Sequence, residues 1–326
     1  MLFSSSSRYF AGAVTHVLLL VLAPLALSAP SAQQGVGSVA AIDLMREQRV
    51  ARIGYRMASH ALSLCRRPQI LTGFVLHDIS SYRRQDRAAI ESAYRLGSGF
   101  GVRLVVPGSA ADLAGLKQDD VLVQVADVPL DTRDVDMIGP DASSKRVDRA
   151  GALIADRLAQ RDQALVVRRG GGTVRLTMMA DRGCAGTFVV APDPDINAWS
   201  DGMGVAISAR LVDMLDDDEL AFALGHEMAH NILGHAALTK GRIGGLTQLG
   251  IGTGKLKVAE LEADALGARL ARNAGFAARG AESFLRRIAA ARGPALDTTH
   301  PAFRLRIERV RALDDQGVSD DAKGRQ

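Results

Sequence analysis

Apolar and polar positions sort the chain into helical and stranded stretches. Over residues 38–64 the apolar side chains Ile42, Met45, Val50, Ile53, Met57, Ala61 and Leu64 recur at mostly helical steps with polar residues between, which predicts an amphipathic helix. Residues 71–77 (LTGFVLH) are strand-like, and the polar stretch 81–97 reads as loop with a helical turn or two. From Gly99 short elements take over: a strand over 101–106, a turn with a short helix starting near Ser109, a bent strand over 121–130 and a helix over 146–159. A hairpin follows over 164–179, turning at Gly170–Gly172, where glycine accepts positive φ without a Cβ clash. Gly204–Ala209 then reads as a strand, 216–235 and 258–276 as two helices, and 301–314 as a last helix.

The N-terminus does not fit this pattern. Residues 17–27 (VLLLVLAPLAL) form an apolar run after Arg8, followed by the small residues 28–32. Broken by Pro24 and short of the ~20 residues of a membrane span, it reads as a secretory signal peptide over 1–32. The expected destination is the periplasm or the exterior, as a soluble chain; the alternative is an uncleaved anchor in the inner membrane. Export changes how the two cysteines are read. In an oxidising compartment Cys65 and Cys184 predict one disulfide, tying the segment before the central domain to the segment after it.

Composition narrows the function classes. With 47% hydrophobic and 23% charged residues among 326, the chain is not disordered throughout. Aromatic residues make up 4%, and the net charge of +4 is spread among alternating acids and bases, which excludes a stacking platform or a basic groove for nucleic acid.

The block from Gly99 carries Gly99-Phe100-Gly101-Val102, then Val106-Pro107-Gly108-Ser109-Ala110-Ala111, Ala114-Gly115-Leu116 and Asp119-Asp120-Val121-Leu122. It resembles a PDZ domain of the bacterial type over roughly residues 98–182, with Asp119 where that pattern has glycine. The resemblance implies a small β-barrel. It also implies a C-terminal peptide ligand that adds as a strand and sets its carboxylate in the loop Ser98–Gly101, making Gly99, Phe100 and Gly101 candidate binding residues. A purely structural barrel without a ligand is the alternative.

The chemistry is concentrated in His226-Glu227-Met228-Ala229-His230. On a helix two histidines four apart share a face one turn apart, so both imidazoles reach one Zn²⁺ while Glu227 handles the metal's water without displacing it. The surrounding helix is apolar, where His, Glu and His are costly without a partner. His235 follows His230 by five positions, ~140° round a continued helix, and reads as a polar helix-end residue outside the ligand set. On the second helix Glu260 and Asp264 share a face, whereas Glu262 faces elsewhere and is expected to be exposed. The economical assignment makes Glu260 the third ligand and Asp264 the group that orients a liganding histidine.

Four ordered signs then support a second resemblance. They are Asn197-Ala198 before the strand Gly204-Val205-Ala206-Ile207-Ser208, Asp218-Glu219-Leu220 before the paired histidines, Glu260 to Asp264, and Thr299-His300-Pro301 running to Arg306-Ile307. Together they resemble the exported and membrane zinc metallopeptidases that include HtpX-like heat-shock proteases, the CAAX prenyl endopeptidase, the mitochondrial Oma-type protease and the periplasmic proteases of outer-membrane assembly. The resemblance implies Glu260 as third ligand and an active-site place for His300 and Arg306. His300 would either stabilise the oxyanion or close on the zinc in a latent form, and Arg306 would brace the site. Where membrane members carry hydrophobic hairpins, this chain has the glycine-rich 239–257, a candidate lid.

The expected fold class is therefore α+β: a mainly helical zinc-metallopeptidase (zincin) domain with a small edge-strand sheet, plus an inserted PDZ-like β-barrel. The expected order is a signal peptide (1–32), an N-terminal helical part (33–97), the PDZ-like domain (98–182), the peptidase core (183–316) and a disordered tail (317–326). The expected function is endoproteolysis of exported or misfolded polypeptides with one Zn²⁺ per chain. Glu227 would be the general base, and Gly204, Val205, Ala206, Ile207 and Ser208 the edge that pairs with substrate. The alternative is a latent or slow peptidase acting mainly as a periplasmic chaperone or PDZ-mediated binding protein. The sequence is silent on oligomeric state.

Overall fold

The helical periodicity of the N-terminal segment becomes α1 (Ala32–His60). Val50, Ile53, Met57, Ala58 and Ala61 on one of its faces join the main core, while Leu44, Ala51 and Tyr55 on another pack against Leu104 and Val106. The computed structural model describes residues 32–65, 68–184, 187–191, 193–202, 204–235, 254–292 and 300–323. Residues 1–31 of the expected signal peptide and 239–253 of the glycine-rich connection lie outside them.

The chain enters the inserted part through β1 (Pro68–Leu71) and returns through β8 (Asp181–Cys184). The two pair antiparallel with Pro68 opposite Cys184, and the Cys65–Cys184 disulfide, with Cα atoms 5.2 Å apart, closes this stem. Between them lie β2 (Phe74–His77), α2 (Arg87–Tyr94), β3 (Phe100–Val105), α3 (Ala110–Leu113), β4 (Val121–Val125), β5 (Val128–Pro129), α4 (Lys145–Gln160), β6 (Gln163–Arg169) and β7 (Gly172–Met178). The expected strand over 71–77 is divided between β1 and β2 at Thr72-Gly73, where Gly73 has φ +73. Gly170 and Gly171, both at positive φ, make the β6–β7 turn.

These strands do not close into a barrel. The sheet is open, in the order β2-β3-β4-β6-β7 with β5 on β4, and its outer strands β2 and β7 do not pair. Closure would require those two edges to meet. Instead α4 covers the apolar face: Ala150, Ile154 and Leu158 pack on Val102, Leu122, Val125, Leu165 and Val167, so that face is buried by a helix. Arg146 of α4 is fully buried, pairs with Asp78 at 2.6 Å and lies over the Phe100 ring, which fixes the helix to the sheet. The sheet also takes in β2, upstream of the boundary expected at residue 98.

Beyond the stem come β9 (Phe188–Ala191), β10 (Ala198–Ser200), β11 (Val205–Ser208), α5 (Ala209–Met214) and α6 (Asp217–Leu233). They are followed by α7 (Gly254–Asn273), α8 (Arg279–Arg292) and α9 (Phe303–Lys323). The last helix runs past residue 317, into the stretch expected to be a disordered tail. The small sheet has the order β10-β11-β9, with β11 antiparallel to β10 and parallel to β9. No helix among the described residues is long and apolar enough to cross a membrane.

Candidate metal centre

Four consecutive acidic residues set the start of the helix that carries the paired histidines. Asp216 is the N-cap: it accepts the Glu219 amide at 2.9 Å, and its own amide donates to the Glu219 carboxylate at 3.0 Å, a reciprocal capping box. Asp217 takes Arg49 and Arg52 of α1, each at 2.6 Å. Asp218 accepts the Ala277 amide, and Glu219 holds Arg287 of α8. The first turn of α6 is thus tied to α1 through Asp217 and to the α8 side through Asp218 and Glu219.

The second helix approaches α6 through paired glycines. A Cβ on Gly225 would stand 2.8 Å from the Gly267 carbonyl oxygen, and a Cβ on Gly267 would stand 2.7 Å from the His226 backbone nitrogen. Backbones this close bring the face of α7 that bears Glu260 and Asp264 against His226. One nitrogen of His226, one of His230 and a Glu260 oxygen lie within 4.8 Å of one another. The Nε2 atoms of the two histidines face each other at 3.1 Å, and each is 3.4 Å from a different Glu260 oxygen.

This donor set fits a metal cation. Among the described residues no group hydrogen-bonds the buried Glu260 Oε2, and two imidazole nitrogens converge beside it, an arrangement that calls for positive charge. Burial opposes ionisation of Glu260, yet the His226 contact and the neighbouring imidazoles hold it down to about 2. Burial likewise disfavours a charged His226, but Asp264 and Glu260 overcome it and lift His226 to about 10. His230, desolvated and next to that charge, is pushed down to about 4. Two imidazoles and a carboxylate are the N/O donors of an open three-ligand zinc site.

The expected supporting residues gather around it. Asp264 Oδ1 lies 3.0 Å from His226 Nδ1, and Arg306 from α9 donates to both oxygens of Asp264 at 2.7 Å. The buried Arg306 is also 3.9 Å from Glu260. His300 Nε2 lies 3.5 Å from Glu260 Oε2. Glu227 is outside the donor cluster; burial raises its pKa, against the charge of His226 and a hydrogen bond from Ser200.

The candidate peptide-pairing residues stand elsewhere than expected. Gly204 precedes β11, and Val205, Ala206, Ile207 and Ser208 form that strand, which is paired on both sides and so offers no edge. Among the described residues β10 pairs with β11 alone; it carries the half-exposed Trp199 and, at Ser200, the contact to Glu227. Likewise Phe100 and Gly101 lie in β3, which is hydrogen-bonded to β2 and β4, and Gly99 donates its amide to the Leu96 carbonyl. Among the described residues the outer strands of that sheet are β2 and β7.

Two further residues join the site. Asn231 accepts the Gly202 amide at 2.7 Å and donates to the Gly204 carbonyl at 2.9 Å, pinning the β10–β11 turn to α6; its position next to His230 was the available signal. A continued helix points His235 away, but it contacts His230, and Glu262 contacts His235. The signal was Gly234, which ends the helix at φ +75, so the ~140° offset of a continued helix does not apply.

The sequence model of peptidase family M48 matches residues 174–259, 86 of the 326 residues. The match takes in His226, Glu227 and His230 and ends one residue before Glu260. No curated protein matches the chain. Among solved structures, the HtrA3 PDZ domain bound to a phage-derived ligand (FGRWV) aligns at 18% identity and a TM-score of 0.25, covering 36% of this chain and 89% of that one.

Proposed function

We propose that this chain is a zinc-dependent endopeptidase that hydrolyses peptide bonds of exported or misfolded polypeptides. The observation that carries the reading is the convergence of His226, His230 and Glu260, with the half-buried Glu227 beside them and outside the ligand set. The M48 match over the histidine-bearing segment supports the same chemistry. Zn²⁺ held by these three residues would polarise the scissile carbonyl and acidify a water. Glu227 takes the water's proton and returns it to the leaving amine; a carboxyl raised by burial suits both halves of that cycle. Asp264, clamped by Arg306, keeps the His226 ring turned so that Nε2 faces the metal position. His300 donates to the developing oxyanion. An extended substrate pairs with the open side of β10, so recognition reads backbone and tolerates varied side chains.

A second reading is favoured by one contact. His300 rests against Glu260 at 3.5 Å, where it also suits a latent enzyme that holds its site closed and acts mainly as a chaperone or peptide-binding protein. A C-terminal peptide would then add to the open side of β2, beside α4.

The deciding measurement is cleavage of an unfolded polypeptide by the purified chain, with and without chelator, beside the Glu227→Gln protein. Chelator-sensitive cleavage lost in Glu227→Gln is the expected result. Undiminished cleavage by that variant overturns the role of Glu227, and a wild type that holds zinc without cleaving favours the latent reading.

A further inference from the structure

We infer that His235 and Glu262 are positioning residues for His230, holding the second metal-binding histidine as Asp264 and Arg306 hold the first. The inference rests on the reading that His226, His230 and Glu260 bind the metal. The Nδ1 atoms of His230 and His235 are 2.9 Å apart, with ring planes at 71° and centroids 5.0 Å apart. On its far side His235 Nε2 lies 3.2 Å from Glu262 Oε2. The His235 side chain is 11% exposed and that of Glu262 57%, so a nearly buried imidazole links the ligand to a carboxylate at the surface.

One set of proton positions satisfies this chain. The Glu262 carboxylate only accepts, so His235 carries its proton on Nε2 and donates it there. His235 Nδ1 is then an acceptor, and among the described residues the proton it meets is one on His230 Nδ1. His230 is thereby held as the tautomer whose Nε2 lone pair is free and faces Glu260 Oε1 and His226 Nε2. No group in the relay has to change its charge. Metal-ligating histidines commonly give their second N–H to a carboxylate; His226 does so directly, and His230 through an interposed imidazole.

Local structure makes the relay possible. Gly234, in the left-handed region, ends α6 in a Schellman-type turn, and the His235 amide donates back to the His230 carbonyl at 3.0 Å. This turn swings the His235 ring across His230. Glu262 arrives from α7, two positions after the ligand Glu260, so the crossing that sets the third ligand also sets the end of the relay.

The test is zinc affinity of the full chain, by competition with a chromogenic chelator, together with ¹⁵N NMR of the histidine rings in the zinc-loaded protein. His235→Ala should weaken zinc binding by ~10–100-fold. His235→Gln, whose amide oxygen still accepts from His230, should recover most of that loss. Glu262→Gln, a change at an exposed carboxylate that leaves folding intact, should weaken binding by less than His235→Ala. The spectra should show His230 protonated on Nδ1 and His235 on Nε2. Wild-type affinity in His235→Ala and Glu262→Gln, or a His235 protonated on Nδ1, overturns the positioning role and leaves the metal site standing. A wild type that binds no zinc, or a His230→Ala protein that keeps full zinc affinity, overturns the metal site and the relay with it.

Discussion

His226 is drawn toward the charged state by Asp264 and Glu260, and toward neutrality by any metal that needs its lone pair. In the metal-free protein its pKa is raised from 6.5 to about 10. The folded state then binds more protons than the unfolded one between those values, and stability is lost as pH rises from about 6.5 to about 10. Zinc uptake near neutral pH must expel that proton, so the zinc-loaded protein should not show this loss. Thermal unfolding across this range, with zinc and with chelator, checks the contrast; parallel curves would refute it. Glu227→Gln should retain zinc and lose ~10²–10⁴-fold in hydrolysis, since it removes a proton acceptor and no ligand. Asp264→Ala should weaken zinc and take from the buried Arg306 the carboxylate that accepts two of its hydrogen bonds, so it should also cost stability. Paired zinc and activity assays separate these outcomes.

Among the elements, α6 and α7 depend on glycines placed for contact. Gly267→Ala would set a Cβ 2.7 Å from the His226 nitrogen and 2.9 Å from its Cα, and backbone on the other side cannot yield as a side chain does. The expected cost is ~1–3 kcal/mol from overpacking, with weaker zinc binding because Glu260 and Asp264 move away together. Denaturant melts and metal titration measure both, and an unchanged zinc affinity would separate the crossing from the site. Asp216→Ala is the contrasting change. Losing the cap should cost ~0.5–2 kcal/mol while zinc affinity stays at the wild-type value, because the cap lies more than two turns before His226.

Across the whole molecule, α1 serves both bodies. It buries one face in the core beneath α6 and ties another to β3 of the inserted sheet through the Glu47–Arg103 pair at 2.6 Å and to the stem strand β8 through the Tyr55–Asp181 hydrogen bond. The stem adds a second connection, in which the disulfide and the β1–β8 ribbon act together. A Cys65→Ser, Cys184→Ser double variant should therefore melt lower and still bind zinc, since the ribbon pairing survives without the sulfurs. Loss of zinc along with the disulfide would show that the stem also shapes the site. Chelator should lower the melting temperature of the wild type and leave His226→Ala unmoved, because only a binding-competent fold gains stability from the ion.

Local pattern determined a good part of this protein. Four-residue spacing on apolar helices was enough to single out His226, His230, Glu260 and Asp264, because side chains one turn apart on one helix share a face whatever surrounds them. The same held for α1, α4 and the Gly170–Gly171 turn, which periodicity and glycine placement specify without distant help. Other features were decided by contacts between segments far apart in the chain. Strand order put β11 inside its sheet and left β10 open, and no local signal at 204–208 distinguishes a central strand from an edge. The PDZ-like run of residues was present, but α4 covering the apolar face left the sheet open instead of closing it into a barrel. His235 shows the boundary most clearly. Its direction depended on where α6 stopped, and its role on which residue of α7 met it there, so helical geometry alone pointed it the wrong way.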